Sequence, residues 1–530
     1  MASAESEIHS PSKDSISHIE HAEKVPALKL DPHGFPLRPQ PSGMSKPHNI
    51  YYPNLFCMGT LDKPTDLVPD SPYDPLTWHP LLKLWILFNV SYLAFLGPFT
   101  QAVINSAFKP VATSFHIPIT TASYVTNVAI LGAGITPLFL SPIANVYGRR
   151  PVFLAVTAVG VASHLASAFA PTWGGILVAR FFVGVGTSAG MGIGAAVVAD
   201  LYFLHERGRM MGIYTVFVTN GAHVAAMIGG PIAKFIGWRA CFWIPAIILG
   251  AQLVVMTVAL PETLYRRRSD VTGLAGGNGD GKVDWSRLMT FRSGQARKGL
   301  KLWDFTHVFV MLKYPSVLFP ALYYSIHFGL GSVLFAVTGA AAFGGIYHFD
   351  TVGVGLAIGV STFIGTLIGE LSAGPVSDRL VYLYAKAHDG DQKAETRLFA
   401  TIPGAILIPT GVIIEGVCFQ YETHWMGPIM GISIAAFGLQ IVTTNIYAYV
   451  TDCYKPQSAE ISTLLNFGRQ VFSFTLGFYM TPFAEETTYG IAWAVMAIIG
   501  LALYAGIVAL MFKGRQWREQ LGEPSFDRDI

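Results

Sequence analysis

Four ionisable residues stand where their neighbours are almost wholly apolar: Arg180 in VARFFVGVGTSAG, Glu370 in IGELSAG, Glu415 in VIIEGVC and Arg469 in NFGRQVF. A permanent charge in such a run costs on the order of 2.5 kcal/mol or more at mid-membrane unless it faces protein or water. Arg180 therefore needs a partner, and two roles are open: coupling to a substrate or proton, or a helix-packing contact. Glu415 and Arg469 divide evenly between the same two roles. His164, His223 and His327 titrate near neutral pH and are able to shuttle protons, although a histidine inside a helix more often packs than relays.

Polar and aromatic residues recur at helical spacing around these charges. Phe88, Tyr92, Phe95 and Phe99 fall at i, i+4, i+7 and i+11, one continuous face of a helix. Tyr323 pairs with His327, Gln440 with Tyr447, and Asn466 with Gln470 in the same manner. These groups suit a moderately apolar, hydrogen-bonding small organic substrate better than a bare inorganic ion. Aromatic stripes are also ordinary core or lipid contacts.

Two polar turns match across the chain. SPIANVYGRRPV carries Ser141, Asn145, Gly148, Arg149 and Arg150, and SAGPVSDRL carries Gly374, Asp378 and Arg379. In each, a small residue precedes an amide or acid by four positions, and Arg follows. Small residues let helices approach closely, and the acid or amide at the helix end then holds basic groups in one state of a gate. The other reading is a basic turn that only fixes topology. Glu370, Gly374 and Asp378 follow four-residue steps on one face, which extends the second gate inward.

The elements that carry these residues are membrane-spanning helices. Hydrophobic residues make up 52% of the 530-residue chain and charged residues 13%, about half the charge of an ordinary soluble domain. The excess forms stretches of roughly 20 residues, each long enough to cross a ~30 Å hydrocarbon core as helix. Gly and Pro scattered through long runs fit helices in lipid, and the short alternating strands of a barrel do not occur. Spans are expected at 84–106, 123–144, 151–171, 174–200, 212–236 and 240–260, then at 316–344, 352–374, 399–419, 425–450, 459–483 and 489–512. The fold class is thus an all-α membrane protein of twelve transmembrane helices in two six-helix bundles, 81–262 and 316–512. A disordered cytoplasmic tail over 1–80, a cytoplasmic central linker over 263–315 and a cytoplasmic C-terminal tail over 513–530 complete the organisation.

Lys and Arg fix the orientation. With the N-terminus inside, the inner connections hold Arg149, Arg150, Arg207, Arg209, ten basic residues from Arg266 to Lys313, and Arg379, Lys386, Lys393, Arg397 and Lys455. The outer ones hold Lys109, Lys234 and Arg239. Both termini are expected in the cytoplasm, with the plasma membrane as the default location. No cleavable signal peptide is expected. The net charge of +2 argues against nucleic acid as a partner, and four scattered cysteines imply neither a disulfide framework nor a metal site. Gly276, Gly281 and Lys282 have phosphate-loop spacing, but Val283 replaces the required Ser or Thr. The glycines of GVGTSAGMGIG lie within an apolar helix and read as close packing. No cofactor is expected, so transport must draw on an ion or substrate gradient.

NVYGRRPV resembles the loop signature of the major facilitator superfamily, and VARFFVGVGTSAG is similar to its Arg-containing fourth-helix motif through Arg180, Gly184 and Gly186. IGWRACFWI with LPETLYRR, and YVTDCYKPQSAEISTLLNFGRQVF, resemble the fungal twelve-span branch related to drug:proton antiporters. The likeness covers about residues 72–512. It implies the major facilitator fold, whose first, fourth, seventh and tenth helices line the cavity, and a substrate role for the residues on them. The signature's usual leading Gly is Ser141 here and its Asp is Asn145, which denies the first-half gate a full ion pair. The fifth-helix segment GAHVAAMIGGP keeps Gly221, Gly229 and Gly230 but lacks the upstream prolines of the antiporters. The leading expectation is a monomeric secondary transporter that exports a drug-like compound or secondary metabolite against protons by alternating access. Proton-coupled uptake of a nutrient and a non-transporting membrane sensor are the alternatives. An enzyme is not expected, because no convergent nucleophile, His or carboxylate cluster occurs.

Overall fold

A computed structural model describes residues 75–202, 204–264, 300, 302–388, 393–454, 457–522 and 524. They fall in one compact unit that starts at Val68. The expected tail up to residue 74 and most of the central linker, with its Gly-rich run, lie outside the described residues.

The principal helices of the first half are α1 (Pro80–Ala102), α2 (Tyr124–Tyr147), α3 (Arg149–Phe169), α4 (Trp173–Leu201), α5 (Leu204–Phe235) and α6 (Ala240–Ala259). Those of the second are α7 (Pro315–Gly345), α8 (Thr351–Ala387), α9 (Ile402–Gln420), α10 (Met426–Cys453), α11 (Ser458–Glu486) and α12 (Tyr489–Leu521). No strand occurs among the described residues. Eleven helices are long and apolar enough to cross a membrane. The twelfth expected span, α11, has the length at 29 residues, but Glu460, Asn466, Arg469 and Gln470 lower its hydropathy. Asn466, Arg469 and Gln470 are nevertheless buried, because α11 lies between α2 and α7.

Helix starts follow from local chemistry. Thr172 Oγ1 accepts from the Gly175 N–H at 3.2 Å before α4, Asp350 Oδ1 from Gly353 at 2.8 Å before α8, and Thr488 Oγ1 from Ile491 at 3.3 Å before α12. Each satisfies an N–H that has no partner inside its helix. The connection between α2 and α3 turns on Gly148 at φ 109°, and a Cβ there would stand 2.4 Å from a carboxylate oxygen of Glu262.

Two helices run more than two turns past their expected ends. The eighth span was expected to stop at 374, yet α8 continues to Ala387 and takes SAGPVSDRL inside it. Pro375 lies within the helix, where membrane helices tolerate proline. α12 likewise continues to Leu521 rather than giving way to a tail at 513, held by Arg518 Nη2 donating to Glu395 at 2.5 Å.

α1 to α6 pack as one bundle and α7 to α12 as the other, and they meet along two seams, α5 on α8 and α2 on α11. Bonds cross near both ends. Lys234 Nζ donates to Asp350 Oδ2 at 2.6 Å, and the Ser141 and Thr463 hydroxyls lie 3.4 Å apart. The exterior is apolar, with Ile247, Val254, Val258, Ile406, Ile498 and Phe512 exposed, as lipid contact demands.

The glycine run of α4 packs helices, as its apolar context indicated. A Cβ on Gly184 would stand 2.0 Å from the Ala129 carbonyl oxygen, and one on Gly186 would stand 2.1 Å from Gly160 Cα. Neither backbone atom can retreat without moving a whole helix. Gly186→Val should therefore lower stability by at least ~1–3 kcal/mol. A thermal unfolding midpoint equal to that of the native chain in detergent would refute this packing.

Candidate functional site

A cavity of about 70 Å³ lies between the bundles. From the first half it is lined by Gln101 at the end of α1, Asn105 in the short turn beyond it, Thr126 of α2, Met191 of α4 and His223 of α5. From the second come Phe328 and Ser332 of α7, Thr362 of α8, and Arg469 and Gln470 of α11. Apolar surface separates these polar groups, including Ile130, Ala226, Val333 and Ile358.

Two local irregularities aim these side chains. Pro98 interrupts the α1 ladder one turn before Gln101. In α7 the α-helical spacing opens into a π turn over Gly329–Val333, and that turn carries Ser332 and Val333 into the cavity wall. Such turns are rare and gather at functional sites. The wall is then fixed by hydrogen bonds: Thr126 Oγ1 donates to Asn105 Oδ1 at 2.6 Å, and Gln101 Nε2 donates to Thr187 Oγ1 at 3.3 Å.

Arg180 finds its partners in backbone. Its Nη1 donates to the Thr100 carbonyl at 3.0 Å, Nη2 to Gln101 at 2.6 Å and Nε to Val125 at 3.0 Å. Thr100 and Gln101 belong to the last turn of α1, where carbonyls lose their intrahelical donors and the helix end is negative. The fully buried guanidinium thus closes α1, stands 5.6 Å from the Phe242 ring centroid, and holds the cavity wall from behind.

Among the other expected substrate residues, His223 and Gln470 line the cavity, and Asn466 supports Arg469 by accepting from its Nε at 3.1 Å and Nη2 at 2.9 Å. Phe88 and Tyr92 do stack, at 6.1 Å, and the stripe continues through Phe95 to Phe99. It meets Phe217 of α5, however, and the cavity touches α1 on a neighbouring face. Tyr323 and His327 also lie outside the lining. Their rings pack 3.9 Å apart, Tyr323 stands 5.3 Å from Tyr504 of α12, and His327 Nδ1 is 2.8 Å from the Tyr323 carbonyl. Gln440 donates to Glu370, which also accepts from Thr444 at 3.4 Å, so Glu370 joins α8 to α10. Tyr447 lies edge-on to Tyr324 at 5.5 Å, apart from the cavity. Sequence periodicity missed Gln101, Asn105 and Thr126, although Gln101 and Asn105 stand at i, i+4 beside the aromatic stripe.

The two polar turns have partners that their own motifs do not contain. Arg149 Nη1 donates to Asn145 Oδ1 at 2.5 Å, and its Nε makes an ion pair with Asp200 at 3.4 Å. The carboxylate that Asn145 lacks is thus supplied from the end of α4. Glu262, beyond α6, accepts from the Arg149 and Arg150 N–H groups at 2.9 and 3.1 Å and so caps α3, while Arg150 Nη2 donates to the Thr257 carbonyl at 2.6 Å. In the second half Asp378 pairs with Arg397 at 3.2 Å rather than with Arg379, and Arg397 also pairs with Asp452 at 2.7 Å. Arg379 is exposed. At the other end of the seam, the Lys234 ammonium and the Gly353 N–H hold the Asp350 carboxyl below its usual range.

Residues 90–476 match the Major Facilitator Superfamily. The chain belongs to that superfamily. The MFS transporter cpaT of Aspergillus oryzae is 30% identical over 85% of this chain and 90% of its own length. The efflux pump radE of Floropilus chiversii is 27% identical over 85% and 84%. The fold matches the xylose transporter XylE of E. coli with a TM-score of 0.58 at 12% identity, covering 81% of this chain and 97% of that one. A multi-pass membrane transporter is what this membership and the apolar helices establish.

Removing Arg180 leaves three carbonyls without their donor in a fully buried site, and an unsatisfied buried acceptor costs about 1–3 kcal/mol, so Arg180→Ala should unfold more easily by ~3 kcal/mol or more. A native unfolding midpoint with transport abolished would instead assign Arg180 to coupling. The Lys234–Asp350 pair is half-exposed on both sides, and its contribution is correspondingly small. Because the Asp350 pKa is lowered in the folded chain, that contribution is present above the ordinary carboxylate range and is lost as pH falls through it, below about 4. The small stability difference between native chain and Asp350→Asn should accordingly be seen at neutral pH and vanish in acid; a difference that is constant with pH would show that the pair contributes nothing.

Proposed function

We propose that this superfamily member exports a small organic compound, drug-like or a secondary metabolite, in exchange for protons, by rocking its two bundles around the cavity on their seam. The observation that carries the reading is the cavity itself. It is enclosed by both bundles, mixes apolar wall with Gln101, Asn105, Thr126 and Gln470, and places one titratable imidazole, His223, on its lining. A site shared between two halves is what alternating access requires. An imidazole is able to carry a proton, and His223 has no hydrogen-bond partner among the described residues, which leaves its ring nitrogens to a proton or substrate.

The direction is supported by relatives named as efflux pumps. In this reading the chain acts as a monomer in the plasma membrane, both termini and the Arg149–Arg397 end facing the cytoplasm. Proton-coupled uptake is the second reading, favoured by the absence of the antiporter prolines upstream of Gly229 in α5.

The test is net accumulation of a panel of organic compounds in a fungal host expressing or lacking the chain, with and without a protonophore. Export predicts lower internal levels on expression, restored by the protonophore. His223→Gln should keep exchange of substrate across vesicles but lose its dependence on a pH gradient. Higher internal levels would mean uptake, and no change for any compound would mean a sensor.

A further inference from the structure

Among the described residues the charge in the cavity has no counter-charge. Arg469 is 8% exposed and lines the cavity, and no Asp or Glu is among the lining residues. The other buried and half-buried arginines differ. Arg180 is spent on backbone carbonyls, Arg150 donates to the Thr257 carbonyl, Arg149 faces Asp200, Arg397 faces Asp378 and Asp452, and Arg518 faces Glu395. Arg469 has a single amide oxygen, Asn466 Oδ1, which takes both its Nε and one edge of Nη2. Beyond that, Nη2 grazes Met191 Sδ at 3.8 Å, and the guanidinium lies on the Phe328 ring at 4.4 Å from its centroid. Nη1 has no acceptor among the described residues. The Glu370 carboxylate is taken by Gln440 and Thr444 and makes no ion pair with it.

This arrangement is a held cation. Asn466 fixes the fork from one edge and Phe328 from one face, so little rotamer entropy is lost when a ligand binds. A planar guanidinium matches an oxyanion with two parallel hydrogen bonds, and in a low-dielectric site the charge itself attracts strongly. The wall around it is apolar at Ile130, Ala226, Val333 and Ile358, which receives the remainder of an amphipathic molecule.

We infer that the transported compound is an organic acid whose carboxylate docks on Arg469 while its apolar body rests on the wall between Ile130, Val333 and Ile358. This rests on the reading that the cavity is the transport site. An anionic substrate also supplies what the cavity lacks: with it bound, the guanidinium is neutralised before the bundles rock.

The test uses the purified full-length chain in lipid nanodiscs at pH 7.5 and matched probes of equal shape: benzoate and benzamide, cinnamate and cinnamamide, 2-naphthoate and 2-naphthamide, with benzylamine as a cation and chloride and phosphate as inorganic anions. Calorimetric titration should find at least one acid that binds about tenfold or more tightly than its amide, the scale of a charged hydrogen-bonded contact. Arg469→Gln should bring that acid to the level of its amide, and Arg469→Lys should retain part of the preference. Amides that bind as well as acids, binding of benzylamine in preference to any acid, binding of chloride or phosphate alone, or no binding of any acid would each overturn the inference. So would a preference that survives in Arg469→Gln. Should that variant fail to fold, the acid and amide comparison on the native chain decides alone. Export of neutral compounds in cells, with acids and amides bound equally, would sink the anion and leave transport standing; acid-selective binding with no movement of any compound would do the reverse.

Discussion

In hydrocarbon a bare donor or acceptor has no water to turn to, and the way Arg180 closes the last turn of α1 governs the rest of the structure. A helix that ends inside a membrane protein leaves carbonyls exposed to a medium that cannot solvate them, each at a cost of several kcal/mol. Arg180 reaches across from α4 to serve Thr100 and Gln101, and Val125 of α2 with them. One side chain thereby ties three helices at a single level. The cavity is built directly against that level, with Gln101 and Asn105 on one wall and Thr126 on the next. A charge whose sequence context leaves coupling and helix packing both open makes packing contacts here, and these give the cavity its fixed walls.

The same constraint orders the ends of the bundles. Glu262 gives both carboxylate oxygens to the first N–H groups of α3, at the positive end of that helix, and the tight approach needs Gly148 beside it. Arg397 holds Asp378 and Asp452 together in the second half. These are contacts within each half. They stiffen the two bodies separately, whereas the side-chain bonds that cross the seams among the described residues, such as Lys234 with Asp350, Thr366 with Asn220 and Ser141 with Thr463, are isolated pairs rather than networks. That division of labour suits rigid halves on a yielding seam.

Much of the fold was legible in the sequence because lipid imposes length and polarity on each span. Helix order, the six-and-six division and the packing role of the α4 glycines follow from apolar runs alone. The end of α8 did not, since Pro375 and the charged SDR resemble a stop, and in a bundle the helix can continue through both. The site was legible only in part. Helical spacing correctly stacks Phe88 on Tyr92 but gives no absolute direction, and the stack faces Phe217. Charge pairing was least legible: Arg149 meets Asp200, 51 residues on, and nothing local to either residue announces the other. Arg469 was visible as an anomaly, yet whether it had a carboxylate partner depended on the packing of helices far apart in the chain.

The π turn of α7 bears on how such a protein can change over time. An α-helix with one residue inserted is out of phase across the insertion, so the stretch before Gly329 and the stretch after it present different faces to their surroundings. Tyr323 and His327 pack toward α12, while Phe328 at the edge of the turn and Ser332 and Val333 within it line the cavity. The two duties of α7 are thereby uncoupled. Mutation can remodel the cavity side of this helix residue by residue without disturbing the joint that holds it to its own bundle, and a lineage can acquire new cargo without having to relearn how to fold.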